Sequence, residues 1–148
     1  MMAAELAEAP LRKLNRWLEV VLVDDEPRVL GSLRRLLRYE PYDLLTTSHP
    51  DVARQWIEDR DVSLLITDER MPEIDGHRLV EETWKHSPST ACVILTAYPV
   101  TTIRVPGLRE GLHAIITKPW DDEMIRRTIR QLLYERELDD PWEMKGAE

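Results

Sequence analysis

The feature that most constrains the fold is an alternation between short apolar runs and segments with helical periodicity. Five runs rich in Val, Ile and Leu, each bounded by turn residues, are typical of strands buried on both faces. The predicted strands are residues 19–23, 42–47, 62–67, 91–95 and 113–117. Alternation of this kind predicts an α/β protein, a doubly wound five-stranded parallel sheet with helices on both faces.

Between these runs, apolar residues recur every three or four positions, which predicts amphipathic helices. The first predicted helix begins at Pro27. Four more are predicted over 50–59, 77–85, 99–110 and 121 to about 138. Their inward residues are expected to be Val29, Leu30, Leu33, Leu36 and Leu37; Val52, Ala53, Trp56 and Ile57; Leu79, Val80 and Trp84; and Met124, Ile125, Ile129, Leu132 and Leu133. Pro106 and Gly107 interrupt one helix, and because an internal proline costs roughly 3 kcal/mol, we expect that helix to be short, broken or mobile.

Length and charge limit the possible functions. The 148 residues fit one domain, predicted at 18–138, with an N-terminal extension over 1–17 and a flexible C-terminal tail over 139–148. A formal net charge of -8 without a basic tract argues against direct nucleic-acid binding. No apolar run is long enough for a membrane span, and the single cysteine, Cys92, excludes an internal disulfide. A cytoplasmic location is the expectation.

Polar side chains follow four of the predicted strands directly: Asp24 and Asp25, then Asp68, Thr96 and Lys118. Because parallel strands end at a common edge, these residues should converge there. Close carboxylates repel one another, and a hard divalent cation such as Mg²⁺ relieves that conflict. Asp68 could then act as a nucleophile toward phosphorus, with Lys118 and Thr96 binding phosphoryl oxygens. No general base is evident nearby, which favours a phosphate acceptor over a fast hydrolase.

Each of these residues also has a simpler interpretation when taken alone. Asp24 or Asp25 could cap the helix that begins at Pro27. Asp68 could form a turn, and Lys118 could be an ordinary surface charge. Asp75 and Gly76 are interpreted as a turn or helix cap without chemistry, and the four histidines lack metal-ligand spacing.

The combined motifs resemble the receiver domain of two-component response regulators over residues 18–138. The acidic pair Asp24-Asp25, Asp68 in DERMPEIDG, Thr96 in ILTAY and Lys118 in TKPW carry the resemblance. It implies the flavodoxin-like strand order 2-1-3-4-5 and a cis Lys118-Pro119 bond. It also implies phosphorylation of Asp68 by a histidine kinase or phosphotransfer protein, with Thr96 and Lys118 binding the phosphoryl group. Mg²⁺ would be held by Asp25, Asp68 and the Arg70 carbonyl, with Asp24 acting through water.

The wording of DERMPEIDG, LTAY and TKPWDDE resembles most closely the receivers that precede HD-GYP-type or related signalling outputs. Two departures from the family pattern stand out. Ile115 occupies the position where the family usually has a Tyr or Phe that turns inward as a switch. Pro106 and Gly107 fall in the segment that would carry the signal. Arg70 and Tyr98 could border and shield the phosphoryl site, or could simply be exposed.

Three function classes remain open at this point. The favoured one is a phosphorylated signalling switch that acts on an output domain or partner, with a homodimer possible, and is not a turnover enzyme. A haloacid-dehalogenase-type phosphotransferase would need Asp-x-Asp on the first strand, where this chain has Asp24-Asp25-Glu26. A degenerate receiver that only docks is the third class. The presence of all the acceptor-site residues argues against it, and the loss of an aromatic at Ile115 keeps it open.

Overall fold

A computed structural model describes residues 12–13, 16–98 and 112–138. In the described part of the chain, five parallel strands form the main sheet: β1 (Glu19–Val23), β2 (Asp43–Thr47), β3 (Val62–Asp68), β4 (Ala91–Thr96) and β5 (Leu112–Thr117). Their order in the sheet is β2-β1-β3-β4-β5. The predicted flavodoxin-like order 2-1-3-4-5 is confirmed.

Within the described ranges, four helices cover the sheet: α1 (Pro27–Leu37), α2 (Pro50–Asp59), α3 (Gly76–His86) and α4 (Asp122–Leu138). Proline stands in the first turn of α1 and α2, where its missing N–H costs no helical hydrogen bond. Asp75 caps α3 by accepting a hydrogen bond from the Arg78 amide at 3.0 Å, so its interpretation as a cap is confirmed.

The sheet separates two hydrophobic cores. Leu33 of α1 and Ile129 of α4 belong to the core on one face, together with Val20 and Leu22 of β1. Ala53 and Ile57 of α2 and Leu79 and Val80 of α3 belong to the core on the other, together with Val21 and Val23. Successive residues of β1 therefore point to opposite cores, as expected for a strand buried on both faces.

Two residues predicted to point inward do not. Met124 is 41% exposed, because Ile125, the next residue of the first turn of α4, fills the core position. Val52 is 38% exposed, while Ala53 and Ile57 form the narrower stripe of α2 that meets the sheet. The hydrophobicity of both residues suggested burial, but the helix orientation decided otherwise.

The N-terminal extension also differs from expectation in its described part. Arg12–Lys13 and Arg16–Trp17 pair as two short antiparallel strands, where a frayed or helical segment was expected. The predicted helix over 99–110, with Pro106 and Gly107, lies outside the described residues, as does the tail over 139–148.

The outer face of α1 is strongly basic. Arg28, Arg34 and Arg35 are exposed on it, Arg38 is exposed at the C-cap directly after it, and α1 itself contains no acidic residue. Within the described part of the chain, none of the four forms an ion pair with a carboxylate, although Arg34 donates to the Thr46 hydroxyl at 2.8 Å. By contrast, Arg54, Arg60, Arg126 and Arg130 each contact an acidic side chain. The basic face of α1 is thus a local exception on an acidic chain.

Among the described helices, none combines the length and the apolar character that crossing a bilayer requires.

Candidate functional site

The predicted polar residues meet at the carboxyl edge of the sheet. The register pairs Val23 with Thr67, Asp68 with Leu95, and Thr96 with Thr117. Asp24 and Asp25 follow β1, Asp68 ends β3, Thr96 ends β4 and Lys118 follows β5. Parallel pairing in this register brings the ends of four strands to one edge, as the sequence predicted.

Three carboxylates and one ammonium group form the centre of this edge. Single carboxylate oxygens of Asp24, Asp25 and Asp68 lie within 4.8 Å of one another. The Lys118 ammonium donates to Asp24 Oδ2 at 2.8 Å and to Asp68 Oδ1 at 2.9 Å. The side chain of Asp24 is fully buried, and those of Asp68 and Lys118 are 13% and 18% exposed. We call these four side chains the acidic edge.

Backbone contacts hold the acidic edge in place. The Asp24 amide donates to the Thr47 carbonyl at 3.3 Å, and the Lys118 amide donates to the Thr96 carbonyl at 2.7 Å. The Lys118-Pro119 peptide bond is cis, as the resemblance implied. The Glu26 amide donates to Asp24 Oδ1 at 2.9 Å, while the N-cap of α1 is Glu26 itself, which makes no side-chain cap bond. Asp24 is therefore a buried acceptor as well as a neighbour of the helix start.

The electrostatics of the acidic edge reflect an excess of negative charge. Burial raises the pKa of Asp24 and outweighs the hydrogen bond from Lys118. The pKa of Asp25 is raised by loss of hydration and then by the neighbouring Asp68 carboxylate, whose negative charge disfavours ionisation of Asp25. Burial alone would lower the pKa of Lys118, but its hydrogen bonds to Asp24 and Asp68 raise it, so the ammonium form is stabilised. One ammonium does not balance three carboxylates.

The donor set of the acidic edge fits a hard divalent cation. Such cations take oxygen ligands, and Mg²⁺ in particular binds through few carboxylates and retains waters. Across the described residues, no group of acidic, histidine or cysteine side chains other than Asp24, Asp25 and Asp68 gathers in this way. Burial first, and the neighbouring Asp68 charge after it, raise the pKa values of Asp24 and Asp25, and a bound cation would favour their ionised forms.

The remaining predicted site residues differ in burial and in their contacts. Thr96 is 1% exposed, and its hydroxyl accepts a hydrogen bond from the Tyr98 amide at 3.1 Å. The Arg70 guanidinium lies 5.2 Å from the centroid of the Tyr98 ring, a cation–π contact between two exposed side chains. Ile115 is 5% exposed and packs in the core shared with α2 and α3, so it is a core residue in this structure.

One feature of the acidic edge was missed by the sequence reasoning. Lys118 was predicted to bind a phosphate oxygen, and its ion pairs with Asp24 and Asp68 were not predicted. The signal was available in the composition of the edge, because a lysine placed among three carboxylates is their nearest counter-charge. The same two hydrogen bonds show that the three strand ends converge within direct contact.

Residues 20–130 match the family described as the response regulator receiver domain. The chain belongs to this family. The receiver shares 33% identity over 113 residues with the hydrogenase transcriptional regulatory protein HoxA of Cupriavidus necator, covering 76% of the chain and 23% of that protein. With the transcriptional regulatory protein GlrR of Escherichia coli K12 it shares 32% identity over 114 residues, covering 77% of the chain and 26% of that protein.

Solved structures agree with this assignment. The signal receiver domain of an HD domain-containing protein from Pseudomonas fluorescens Pf-5 is 30% identical, with a TM-score of 0.76 over 84% of this receiver and 100% of that chain. A CheY-like receiver domain from Methanospirillum hungatei JF-1 is 25% identical, with a TM-score of 0.75 over 84% of this receiver and 99% of that chain. This receiver spans only about a quarter of the length of HoxA and GlrR, at 23% and 26%.

Proposed function

We propose that Asp68 accepts a phosphoryl group from a phosphohistidine on a histidine kinase or phosphotransfer protein. The observation that carries this proposal is the double hydrogen bond of Lys118 to Asp24 and Asp68, beside the carboxylate of Asp25. The Lys118 ammonium lies beside an oxygen of the partly exposed Asp68 carboxylate. It is therefore placed to stabilise the negative charge of a phosphoryl group that becomes bound there.

The reaction conserves a simple balance of bonds. A carboxylate oxygen of Asp68 attacks phosphorus, the bond between phosphorus and the donor histidine nitrogen breaks, and that nitrogen keeps the electron pair and takes a proton. The product is an acyl phosphate on Asp68. The Lys118 ammonium then donates to a phosphoryl oxygen in place of the Asp68 carboxylate. The Thr96 hydroxyl donates to a second phosphoryl oxygen.

In this scheme Mg²⁺ would be held by Asp25, Asp68 and the Arg70 backbone carbonyl, with Asp24 acting through water. The bound ion supplies positive charge that offsets the negative charge of the transferring phosphoryl group. The clustering of three carboxylate oxygens within 4.8 Å supports this assignment. The described residues around the acidic edge would orient the acceptor and donate hydrogen bonds, and among these described residues none is positioned as a general base for rapid hydrolysis. The receiver would therefore retain the phosphoryl group and would not turn over substrate.

Arg70 and Tyr98 form a stacked pair beside this centre, and we propose that the pair shields the acyl phosphate from water. Its contact distance of 5.2 Å supports the idea. If the pair shields the site, the double variant Arg70→Ala/Tyr98→Ala shortens the phosphoryl lifetime about tenfold or more. An unchanged lifetime in the double variant contradicts the shielding role.

The signal would leave the receiver through an output domain or a partner protein. HoxA and GlrR are named as transcriptional regulatory proteins, and one structural neighbour belongs to an HD domain-containing protein, so either kind of output is compatible with this proposal. We assign the receiver to residues 18–138 and its action to the cytoplasm, with a homodimer as one possible active form. Because Ile115 is an aliphatic core residue, the output does not depend on an aromatic rotamer at that position.

The decisive experiment is labelling with a small phosphodonor and Mg²⁺, followed by intact-mass measurement. The wild-type chain should gain the mass of one phosphoryl group, and Asp68→Asn should gain none. Asp75→Asn, which changes a carboxylate of the neighbouring loop, should be labelled like the wild type. A wild-type chain that stays unlabelled, or an equally labelled Asp68→Asn, overturns the proposal.

A further inference from the structure

We infer that Gly76 is a positioning residue for the acceptor, because its lack of a side chain lets α3 begin directly against the backbone of Asp68. This inference rests on the proposed role of Asp68 as the phosphoryl acceptor. Gly76 is the first residue of α3, where the backbone conformation is one that any residue adopts. Its requirement is therefore one of space.

The space at Gly76 is too small for any other residue. A Cβ built on Gly76 would lie 2.3 Å from the Asp68 carbonyl oxygen and 3.1 Å from the Asp68 carbonyl carbon. It would also lie 3.1 Å from the Glu69 Cα. All three contacts are to backbone atoms, so a side-chain rotation cannot relieve them. The peptide that joins Asp68 to Glu69 would have to move.

That peptide is fixed on both sides. The Glu69 amide donates to the Leu95 carbonyl at 2.8 Å, which extends the pairing of β3 with β4 by one residue. The Glu69 carbonyl accepts from the Gly76 amide at 2.7 Å, which closes the loop between β3 and α3 into a ring. Met71 and Ile74, 8% and 7% exposed, anchor the same loop in the core.

The consequences of moving this peptide would be concentrated in the acidic edge. The Asp68 side chain, which receives the Lys118 hydrogen bond at 2.9 Å, projects from the residue whose carbonyl meets the added Cβ. Arg70, whose carbonyl is a proposed metal ligand, follows two residues later in the same loop. Catalytic geometry is sensitive to displacements of about 1 Å, so a shift too small to unfold the chain would weaken ion binding and phosphoryl transfer.

A second glycine provides a matched control. Gly31 lies inside α1, and a Cβ there would meet only the end of the Arg35 side chain, at 3.4 Å from Nη1. Both substitutions replace glycine by alanine within a helix, and alanine is the better helix former. The two variants therefore differ mainly in what the new methyl group touches.

The test compares the full-length wild type, Gly76→Ala and Gly31→Ala at a temperature where circular dichroism shows each to be folded. Mg²⁺ affinity is measured by NMR titration with MgCl₂, and the labelling rate with a small phosphodonor is measured by intact mass. We expect Gly31→Ala to match the wild type within about twofold in both measurements. Gly76→Ala should lose about tenfold or more in Mg²⁺ affinity and in labelling rate.

The outcomes distinguish a positioning role for Gly76 from a role in folding alone. A folded Gly76→Ala with wild-type Mg²⁺ affinity and labelling rate overturns the positioning role. If Gly76→Ala is unfolded in buffer, the measurements are repeated in trimethylamine N-oxide, which favours the folded state; failure to fold there makes Gly76 a folding residue and also overturns the role. If the wild type binds Mg²⁺ but takes no phosphoryl group, the proposed function fails, while weaker Mg²⁺ binding by Gly76→Ala still supports positioning. A wild type that does neither overturns both.

Discussion

Among the described residues, Lys118 is the only cation in direct contact with the carboxylates of the acidic edge. Its two carboxylate partners, Asp24 and Asp68, come from different strands, so the lysine joins β1, β3 and the end of β5 electrostatically. Removing one member of a buried ion pair leaves the other charge without compensation, which usually costs more than the pair contributes. Lys118 should therefore be important for stability as well as for chemistry.

We expect Lys118→Met, which keeps the length of the side chain, to lower the free energy of unfolding by about 3 kcal/mol at pH 7. The reason is that Asp24 stays fully buried without its ammonium partner. Adding Asp24→Asn to Lys118→Met should restore a large part of the loss, which a double-mutant cycle from urea unfolding would measure. Simple additivity of the two changes would contradict a direct interaction.

The raised pKa of Asp25 leads to a pH-dependent prediction. A carboxyl group whose pKa is higher in the folded than in the unfolded state contributes stability below the unfolded value, about 3.9, and loses it as the pH rises through the folded value. Without Mg²⁺ at pH 7, Asp25→Asn should therefore raise Tm by only roughly 1–2 °C, because Asp25 is exposed and solvent screens its repulsion with Asp68. The difference from wild type should vanish near pH 4.

Mg²⁺ should make the Tm of the wild type higher than that of Asp25→Asn, because the wild type is stabilised by Mg²⁺ binding that the variant lacks. Thermal unfolding between pH 4 and 8, with and without MgCl₂, measures both effects. Asp43→Asn, which removes an exposed carboxylate far from the acidic edge, is the control and should show neither. A lower Tm for Asp25→Asn at pH 7 without Mg²⁺ would argue against charge crowding.

At the scale of elements, α4 is fixed by a contact distant in sequence. Arg130 donates through Nε to Glu40 Oε1 at 2.7 Å and through Nη2 to Glu40 Oε2 at 2.8 Å. The Glu40 side chain is only 8% exposed, and it lies in the turn between α1 and β2. Two parallel hydrogen bonds to one carboxylate are stronger and more directional than a surface ion pair. This contact joins α4 to the turn that precedes β2.

Arg130→Met should consequently lower the free energy of unfolding by about 2 kcal/mol. Arg127→Met is the matched control, because Arg127 is an exposed arginine on the same helix, and its replacement should change stability by less than about 0.5 kcal/mol. Urea unfolding followed by circular dichroism distinguishes the two. Equal effects of both substitutions would show that the Glu40 contact adds nothing beyond a surface charge.

The elements also show how far the sequence could lead. The strands and the starts of α1 and α2 were predictable, because Val, Ile and Leu runs and first-turn prolines act locally. Met124 and Val52 were predicted wrongly, since apolar character alone does not fix the rotation of a helix against the sheet. The convergence of Asp24, Asp68 and Lys118 followed from parallel strands sharing an edge. The close approach of Gly76 to Asp68 did not, because it depends on where α3 packs.

At the scale of the whole molecule, the described residues form two cores divided by the five-stranded sheet. Leu33 belongs to the core under α1 and α4, and Leu79 to the core under α2 and α3; both are fully buried. Each Leu→Ala change should cost about 2–5 kcal/mol through lost burial and the cavity that remains. Because the sheet separates the two sites, the costs should add within about 0.5 kcal/mol in the double variant. Urea unfolding of the three variants tests this, and a clear departure from additivity would indicate that the cores are coupled.

The basic face of α1 has a consequence at the largest scale. Three exposed arginines on α1 and Arg38 at its end, in a chain with a net charge of -8, separate positive from negative charge in the described part of the molecule and give that part an electric dipole moment. The electric field of a charged protein or membrane would orient the receiver before the two surfaces meet. Collisions between them would therefore not be randomly oriented. Added salt would weaken this alignment over distances beyond about 8–10 Å, and first encounters in dilute buffer would favour one side of the molecule over the others.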